Sequence, residues 1–202
     1  METKTKILKT ALKLFINKGF TDVSLNDLIS NIGITKGGFY HYFNSKEELL
    51  TDVIKGYVFS YLDKVMAYVD QYNGTSKEKI HLYFNSIPKH GDVAKHFLDD
   101  NSIDLRSFYL LLMEGIKKYK ILTDYFIDIN NKILNTLESI IVDGKKDGII
   151  AQSINSYNTA LHIFSCGQGA LLLWMTNPEI DIGYVTENNF QCIWRSIEAS
   201  II

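Results

Sequence analysis

Apolar residues recur at three- and four-residue spacing along nearly the whole of this 202-residue chain, and alternating runs flanked by hairpin turns are absent. A spacing near 3.6 gathers apolar side chains on one face of a helix, whereas a half-buried strand needs a period of two. The chain is therefore expected to be all-α. With 46% hydrophobic residues it can bury a sizeable core, either as one domain or as a small domain packed on a larger one.

Local signals divide the pattern into helices. The first is expected over about 3–18, with Ile7, Leu8, Ala11, Leu12 and Phe15 on one face and Gly19 ending it in a left-handed cap. Ser24 caps a second that carries Leu25, Leu28, Ile29 and Ile32 up to Gly33, and Thr35 opens a third. Ser45 with Glu48 reads as a capping box for a long fourth helix reaching about Tyr72, ahead of Asn73 and Gly74. Further helices are expected near 76–86, 92–98, 103–119, 122–145, 156–176 and 182–202. Pro88, Gly91, the 143–148 turn and the Asn177-Pro178 pair supply the breaks. The organisation is a three-helix N-terminal unit, 1–48, joined by the long fourth helix to a larger helical domain, 49–202.

Charge is distributed unevenly. Residues 1–46 hold seven lysines against Glu2, Asp22 and Asp27, a net +4, while the remaining 14 basic and 20 acidic side chains leave −6. Positive charge gathered in the first quarter suits a phosphate-facing module, because neutralised phosphates supply most non-specific nucleic-acid affinity. The N-terminus lacks a signal-peptide h-region, and no stretch reaches the roughly 18 apolar residues of a membrane span, so a cytoplasmic location without membrane association is expected. Cys166 and Cys192 sit in apolar helical contexts without metal-type spacing and are expected as buried free thiols.

Residues 25–43 have the organisation of a helix-turn-helix: a bracing helix, a turn containing Gly33, and a second helix whose exposed face is free to enter a major groove. On that second helix Phe39 and Phe43 are four apart and face the small core. Lys36, Gly37, Tyr40 and His41 share the opposite region. Gly37 and Gly38 each cost about 1 kcal/mol relative to Ala within a helix. Close approach of the backbone to DNA would account for them, as would an N-terminal loop position.

The run from Ile7 to Leu50 resembles the DNA-binding domain of the TetR family, through Phe15, Gly19 and Phe20, the Ser24 cap, Ile29, Gly33, Lys36, Gly37, Tyr40, Phe43, and Lys46 with Glu47 or Glu48. The resemblance covers about a quarter of the chain. It implies that Ser24, Thr35, Lys36, Gly37, Tyr40, His41 and Tyr42 contact a double-stranded operator and that Lys46 grips a phosphate beside a helix N-terminus. Gly38 departs from the Ser, Thr, Ala or Asn often found there.

The same resemblance implies a homodimer formed by the last two helices, with Phe164, Gly167, Leu171, Trp174, Ile193 and Ile197 as the expected interface. It also implies a small-molecule pocket in the middle helices, for which Tyr83, Phe84, Phe108, Tyr109, Met113 and Phe126 are the expected lining. Without a basic cluster there, the effector is expected to be apolar or weakly polar. The implied activity is that of a ligand-released repressor on an inverted repeat.

No nucleophile elbow, phosphate loop or metalloprotease pair is present, and Gly167-Gln168-Gly169 lacks a strand and the third glycine of a dinucleotide fingerprint. Catalysis and cofactors are not expected. His90, Asp92 and His96 lie within seven positions and would suit a divalent transition metal, with a solvated polar loop as the alternative; no metal site is assigned. A helical interaction protein that has lost DNA reading is the remaining rival, and the intact set Lys36, Tyr40, Tyr42 and Lys46 speaks against it.

Overall fold

In a computed structural model of the chain, which describes residues 2–87, 105–177 and 179–199, secondary structure is helical. The described elements are α1 (Glu2–Lys18), α2 (Leu25–Ile32), α3 (Lys36–Tyr42), α4 (Lys46–Ile54), a π-helical turn (Lys55–Phe59), α5 (Ser60–Gln71), α6 (Ser76–Ser86), α7 (Leu105–Lys118), α8 (Lys120–Lys146), α9 (Ser156–Thr176) and α10 (Ile182–Ile197). The expected helix at 92–98 and the His90, Asp92 and His96 group lie outside the described residues, as do Ile201 and the side chain of Phe108. Among the described residues no helix is long and apolar enough to cross a membrane.

The chain forms two compact units, Met1–Tyr61 with Gly91–Ile127 and Leu62–His90 with Asp128–Ile202. They interleave along the sequence, whereas the sequence reading drew one boundary at 48/49. In the first unit, α1 buries Ile7, Ala11, Leu12 and Phe15 and stops at Gly19, whose φ of +79° and amide bond to the Phe15 carbonyl (2.9 Å) form a left-handed cap. Gly33 ends α2 in the same way at φ +76°. Ser24 and Asp27 close a full capping box on α2, and Thr35 caps α3. The expected box on α4 is half made: Ser45 accepts from the Glu48 amide, but the Glu48 carboxylate reaches back to the backbone and side-chain amides of Asn44 (2.7 and 2.8 Å).

The expected unbroken fourth helix is interrupted by the π turn. An α-helix places residues five apart about 140° from one another, whereas an i→i+5 turn brings them nearly into line. Ile54 and Phe59 are thereby both buried, Phe59 with its ring edge-on to Phe126 (4.9 Å) and tilted against Tyr125 (5.6 Å).

In the second unit a Thr75–Glu78 capping box starts α6, whose Ile80, Tyr83 and Phe84 are buried. Buried Ser76 donates to the Ile140 carbonyl of α8 (2.9 Å). Gly167 on α9 makes room for the Tyr83 ring and Ile87: a Cβ there would lie 2.8 Å from the Tyr83 hydroxyl and from Ile87. The last helix ends at Ile197 and not near 202, because the backbone that follows turns extended and bridges Ile150; the Ala151 amide donates to the Ile197 carbonyl and the Ala199 amide to that of Ile149, both at 2.9 Å. Cys166 is half-buried and Cys192 exposed, correcting the expectation of two buried thiols: Cys192 lies on the outward face of α10.

Candidate nucleic-acid interface

Three short helices hold the interface, and each owes its start to one side chain. Ser24, Thr35 and Ser45 accept hydrogen bonds from the backbone amides of Asp27, Gly38 and Glu48, at 3.1, 3.0 and 3.1 Å. These bonds satisfy amides that the first helical turn leaves without partners, and fix where α2, α3 and α4 begin. The Ser24 hydroxyl and amide both donate to Asp27, holding that carboxyl below the usual range.

α3 is a wedge with one buried edge. Phe39 and Phe43 are 0% and 1% exposed, with ring centroids 5.9 Å apart. The opposite edge is open: Lys36, Gly37, Tyr40 and His41 are exposed and Tyr42 is half-buried, its ring 4.9 Å from that of His41. Tyr40 is 48% exposed and rests edge-on against Phe39, their ring centroids 5.5 Å apart. A Cβ at Gly37 would meet the Thr35 hydroxyl at an ordinary 4.0 Å, whereas one at Gly38 would lie only 3.3 Å from that hydroxyl, which caps α3 through the Gly38 amide and would have to give way. Packing inside the protein therefore favours a small residue at Gly38 but does not account for Gly37. An exposed face of two aromatics, one histidine and one lysine, with bare backbone at its start, is equipped to donate to phosphates and base edges.

Lys46 is placed differently from what the resemblance implies. Its ammonium donates to the Phe20 and Val23 carbonyls (2.8 and 2.7 Å) and sits 4.2 Å over the Phe20 ring. Burial holds its pKa below the usual lysine value, with partial compensation from Glu47. It fastens the turn between α1 and α2 to the head of α4. Lys4 makes a second fastening, pairing with Asp52 of α4 at 2.8 Å.

Sequence reasoning missed a further contact to the same turn. Glu114, on α7, accepts from the Phe20 amide (3.3 Å), from the Thr21 hydroxyl and from Lys118 one turn on (3.0 Å); Lys118 also donates to the Thr21 hydroxyl. Burial pushes the Glu114 carboxyl up, but these donors together hold it below its ordinary value. No periodicity or spacing links residues separated by 93 positions, so the contact is visible only in three dimensions.

The other expected sites fall as follows. Tyr109 and Phe126 are half-buried in the first unit and Met113 is exposed there; Tyr83 and Phe84 are buried in the second. Of the expected dimer residues, Phe164, Gly167, Leu171, Ile193 and Ile197 are buried inside their own unit and Trp174 is half-buried. The outward apolar side chains of α9 and α10 are Tyr157, Leu161, Leu172, Leu173 and Tyr184. The small-residue stripe thus packs α9 inward, and the bulky residues on the opposite side are the ones left uncovered. Among the described residues no group of three or more His, Cys, Asp or Glu is placed to hold a metal.

Residues 7–53 match the profile of the bacterial regulatory proteins, tetR family. The chain is 30% identical over 129 residues to the HTH-type transcriptional regulator YerO of Bacillus subtilis, covering 59% of this chain and 45% of the relative. It is 27% identical over 97 residues to the HTH-type transcriptional repressor NemR of Escherichia coli, covering 46% of this chain and 49% of that one. The matched segments thus span about half the length of these relatives. The fold extends further: the crystal structure of reduced E. coli NemR superposes with a TM-score of 0.76 over 100% of both chains at 17% identity. A regulator from Saccharomonospora viridis in complex with choline gives 0.79 over 98% and 99% at 17% identity. The capped helix pair, its exposed α3 edge and the matching segment that contains both agree: residues 7–53 match the DNA-binding segment of bacterial regulatory proteins of the tetR family, and the described fold is that of the solved regulators.

Proposed function

We propose that the protein is a sequence-specific DNA-binding transcriptional regulator, acting as a homodimeric repressor that a small molecule releases from an inverted-repeat operator. The observation that carries this reading is the split face of α3, with Phe39 and Phe43 fully buried while Lys36, Gly37, Tyr40 and His41 stay open to solvent. A helix of this kind places its exposed residues against base edges and phosphates when it lies in a major groove. Lys36 and His41 act near base edges. Tyr40, Tyr42 and the Ser24 and Thr35 hydroxyls anchor the backbone, and Lys46 holds the turn that sets the angle of the helix pair.

The outward apolar side chains on α9 and α10 support homodimerisation. Tyr157, Leu161, Leu172, Leu173 and Tyr184 are 41–70% exposed, bulky apolar side chains that a second copy would cover. These five residues replace the inward stripe as the interface. The regulator from Saccharomonospora viridis is a complex with choline and the neighbour SmeT a complex with triclosan, which supports a small-molecule effector here as well. The half-buried Phe126, whose ring is edge-on to Phe59, and the half-buried Tyr109 of the same unit are the aromatic surface offered to an apolar or weakly polar effector. An effector binding more tightly to the DNA-incompetent state shifts the population toward it by its differential affinity.

The test is selection of bound sequences from a randomised duplex pool at two salt concentrations. Enrichment of one inverted repeat with steep salt dependence is expected. Absence of any enriched sequence at both salts contradicts the reading.

A further inference from the structure

We propose that Glu114 of α7 is a positioning residue for DNA recognition: it holds the turn between α1 and α2, and through that turn sets the operator-reading angle of α2 and α3. The inference rests on the DNA-binding reading above and extends the recognition machinery 61 positions beyond the matched segment, which ends at residue 53.

The turn at 19–23 is gripped from two sides with opposite polarity. Lys46 takes its carbonyls, at Phe20 and Val23, and Glu114 takes its donors, the Phe20 amide and the Thr21 hydroxyl. A turn held at both its acceptors and its donors has little freedom to rotate, and α2 starts directly after it at the Ser24 cap. The end of α7 is shaped to reach this place. Gly115 lets α7 approach closely, since a Cβ there would lie 2.8 Å from Leu122 and 3.3 Å from Ile54. Tyr119 meets the Phe20 ring edge-on at 5.5 Å, and Lys118 braces both Glu114 and Thr21. All of these residues belong to the first compact unit.

Charge alone makes the opposite prediction, which gives the proposal its test. A carboxylate near a DNA-facing module repels phosphate, so removing it would strengthen binding if Glu114 did nothing else. A positioning role predicts weakening, graded by what each variant can still accept. Glu114→Gln keeps one acceptor oxygen, for Thr21, and loses the one that takes the Phe20 amide. Glu114→Ala keeps neither. Thr21→Val removes the partner hydroxyl from an exposed position with little change of shape, and so carries little risk to folding.

The experiment measures the affinity of the full-length protein and these variants for the duplex recovered from the pool and for a scrambled duplex at the same salt, with the thermal midpoint of each protein and the hydrogen exchange of the Phe20 amide. Expected are about tenfold weaker operator binding for Glu114→Ala, a smaller loss for Glu114→Gln, and for Thr21→Val with Glu114→Ala together no more than Glu114→Ala alone. Scrambled-duplex affinity stays within about twofold, and Phe20 exchange accelerates in Glu114→Ala. Operator binding as tight as or tighter than wild type in Glu114→Gln and Thr21→Val overturns the proposal. So does a loss that scrambled DNA shares equally. Should wild type select no duplex, it is the DNA-binding reading that fails, while unchanged Phe20 exchange in Glu114→Ala would separately remove the clasp.

Discussion

Replacing Lys46 by Met separates two roles that the resemblance and the structure assign to it. Methionine keeps the length and apolar stem of the side chain and removes the three donors. The structure predicts a loss of stability, because the ammonium spans the Phe20 and Val23 carbonyls at 2.8 and 2.7 Å and lies 4.2 Å over the Phe20 ring. Hydrogen bonds from a charged donor contribute about 1.5–3 kcal/mol each, and the cation–π contact about 0.5–1 kcal/mol. Since the site is only half-buried and water can replace part of what is lost, the sum is discounted to about 2–3 kcal/mol. For a chain of this size each kcal/mol moves the thermal midpoint by about 2–4 °C, so a fall of about 4–12 °C is expected in a scanning calorimeter. The salt dependence of DNA binding supplies the second reading, since each phosphate contact contributes about 0.9 to the slope of log affinity against log salt. A lysine that fastens the turn leaves that slope unchanged. A midpoint within about 1 °C of wild type together with a shallower slope would show that Lys46 serves the phosphate and refute the structural argument.

Four other substitutions and one change of condition test neighbouring parts of the account. Phe39→Ala removes a fully buried ring and should cost about 3–5 kcal/mol by denaturant unfolding, whereas Tyr40→Ala, at a 48% exposed position, should change stability by less than about 0.5 kcal/mol and weaken binding to all duplexes. Gly33→Ala places a side chain at φ +76° and should cost about 1–2 kcal/mol despite the open space around it. Gly56→Ala in the π turn meets nothing within 4 Å and should stabilise the chain by up to about 1 kcal/mol. The carboxyls of Asp27, Glu78 and Glu114 all titrate below their ordinary values of 3.8, 4.5 and 4.5. The folded state then binds fewer protons than the unfolded one in acid, so stability should be level above about pH 5 and fall as the pH drops through the lowered values; equilibrium unfolding across pH 3–7 checks the sign.

Local rules made much of this fold legible. Gly19 and Gly33 stop their helices in left-handed caps, and Ser24 and Thr35 start theirs, because each effect lies within four residues and needs no tertiary partner. The 76–86 and 156–176 helices fall at their expected bounds for the same reason. What escaped the sequence was set by distant packing. The π turn arises where Ile54 and Phe59 must both be buried, and α10 ends early because Ile150 competes for its backbone. On α9 the small-residue stripe was read as a dimer face, yet Gly167 is small to admit Tyr83 and Ile87 of the same unit. Residue type there reports close approach without saying from which side. The exposed edge of α3 was readable because Phe39 and Phe43 mark the buried side by their spacing. Lys46 and Glu114 were not, since their partners are backbone groups of a turn remote in sequence.

The claim that the exposed edge of α3 reads a major groove is tested most directly by methylation interference on the selected duplex. Guanine N7 lies in the major groove, and half-sites read by paired recognition helices repeat about 10 base pairs apart or a multiple of it. The account predicts that N7 methylation blocks binding at two symmetry-related clusters with that spacing, and that both clusters weaken together in Lys36→Ala. Binding insensitive to N7 methylation but blocked by adducts in the minor groove would contradict it.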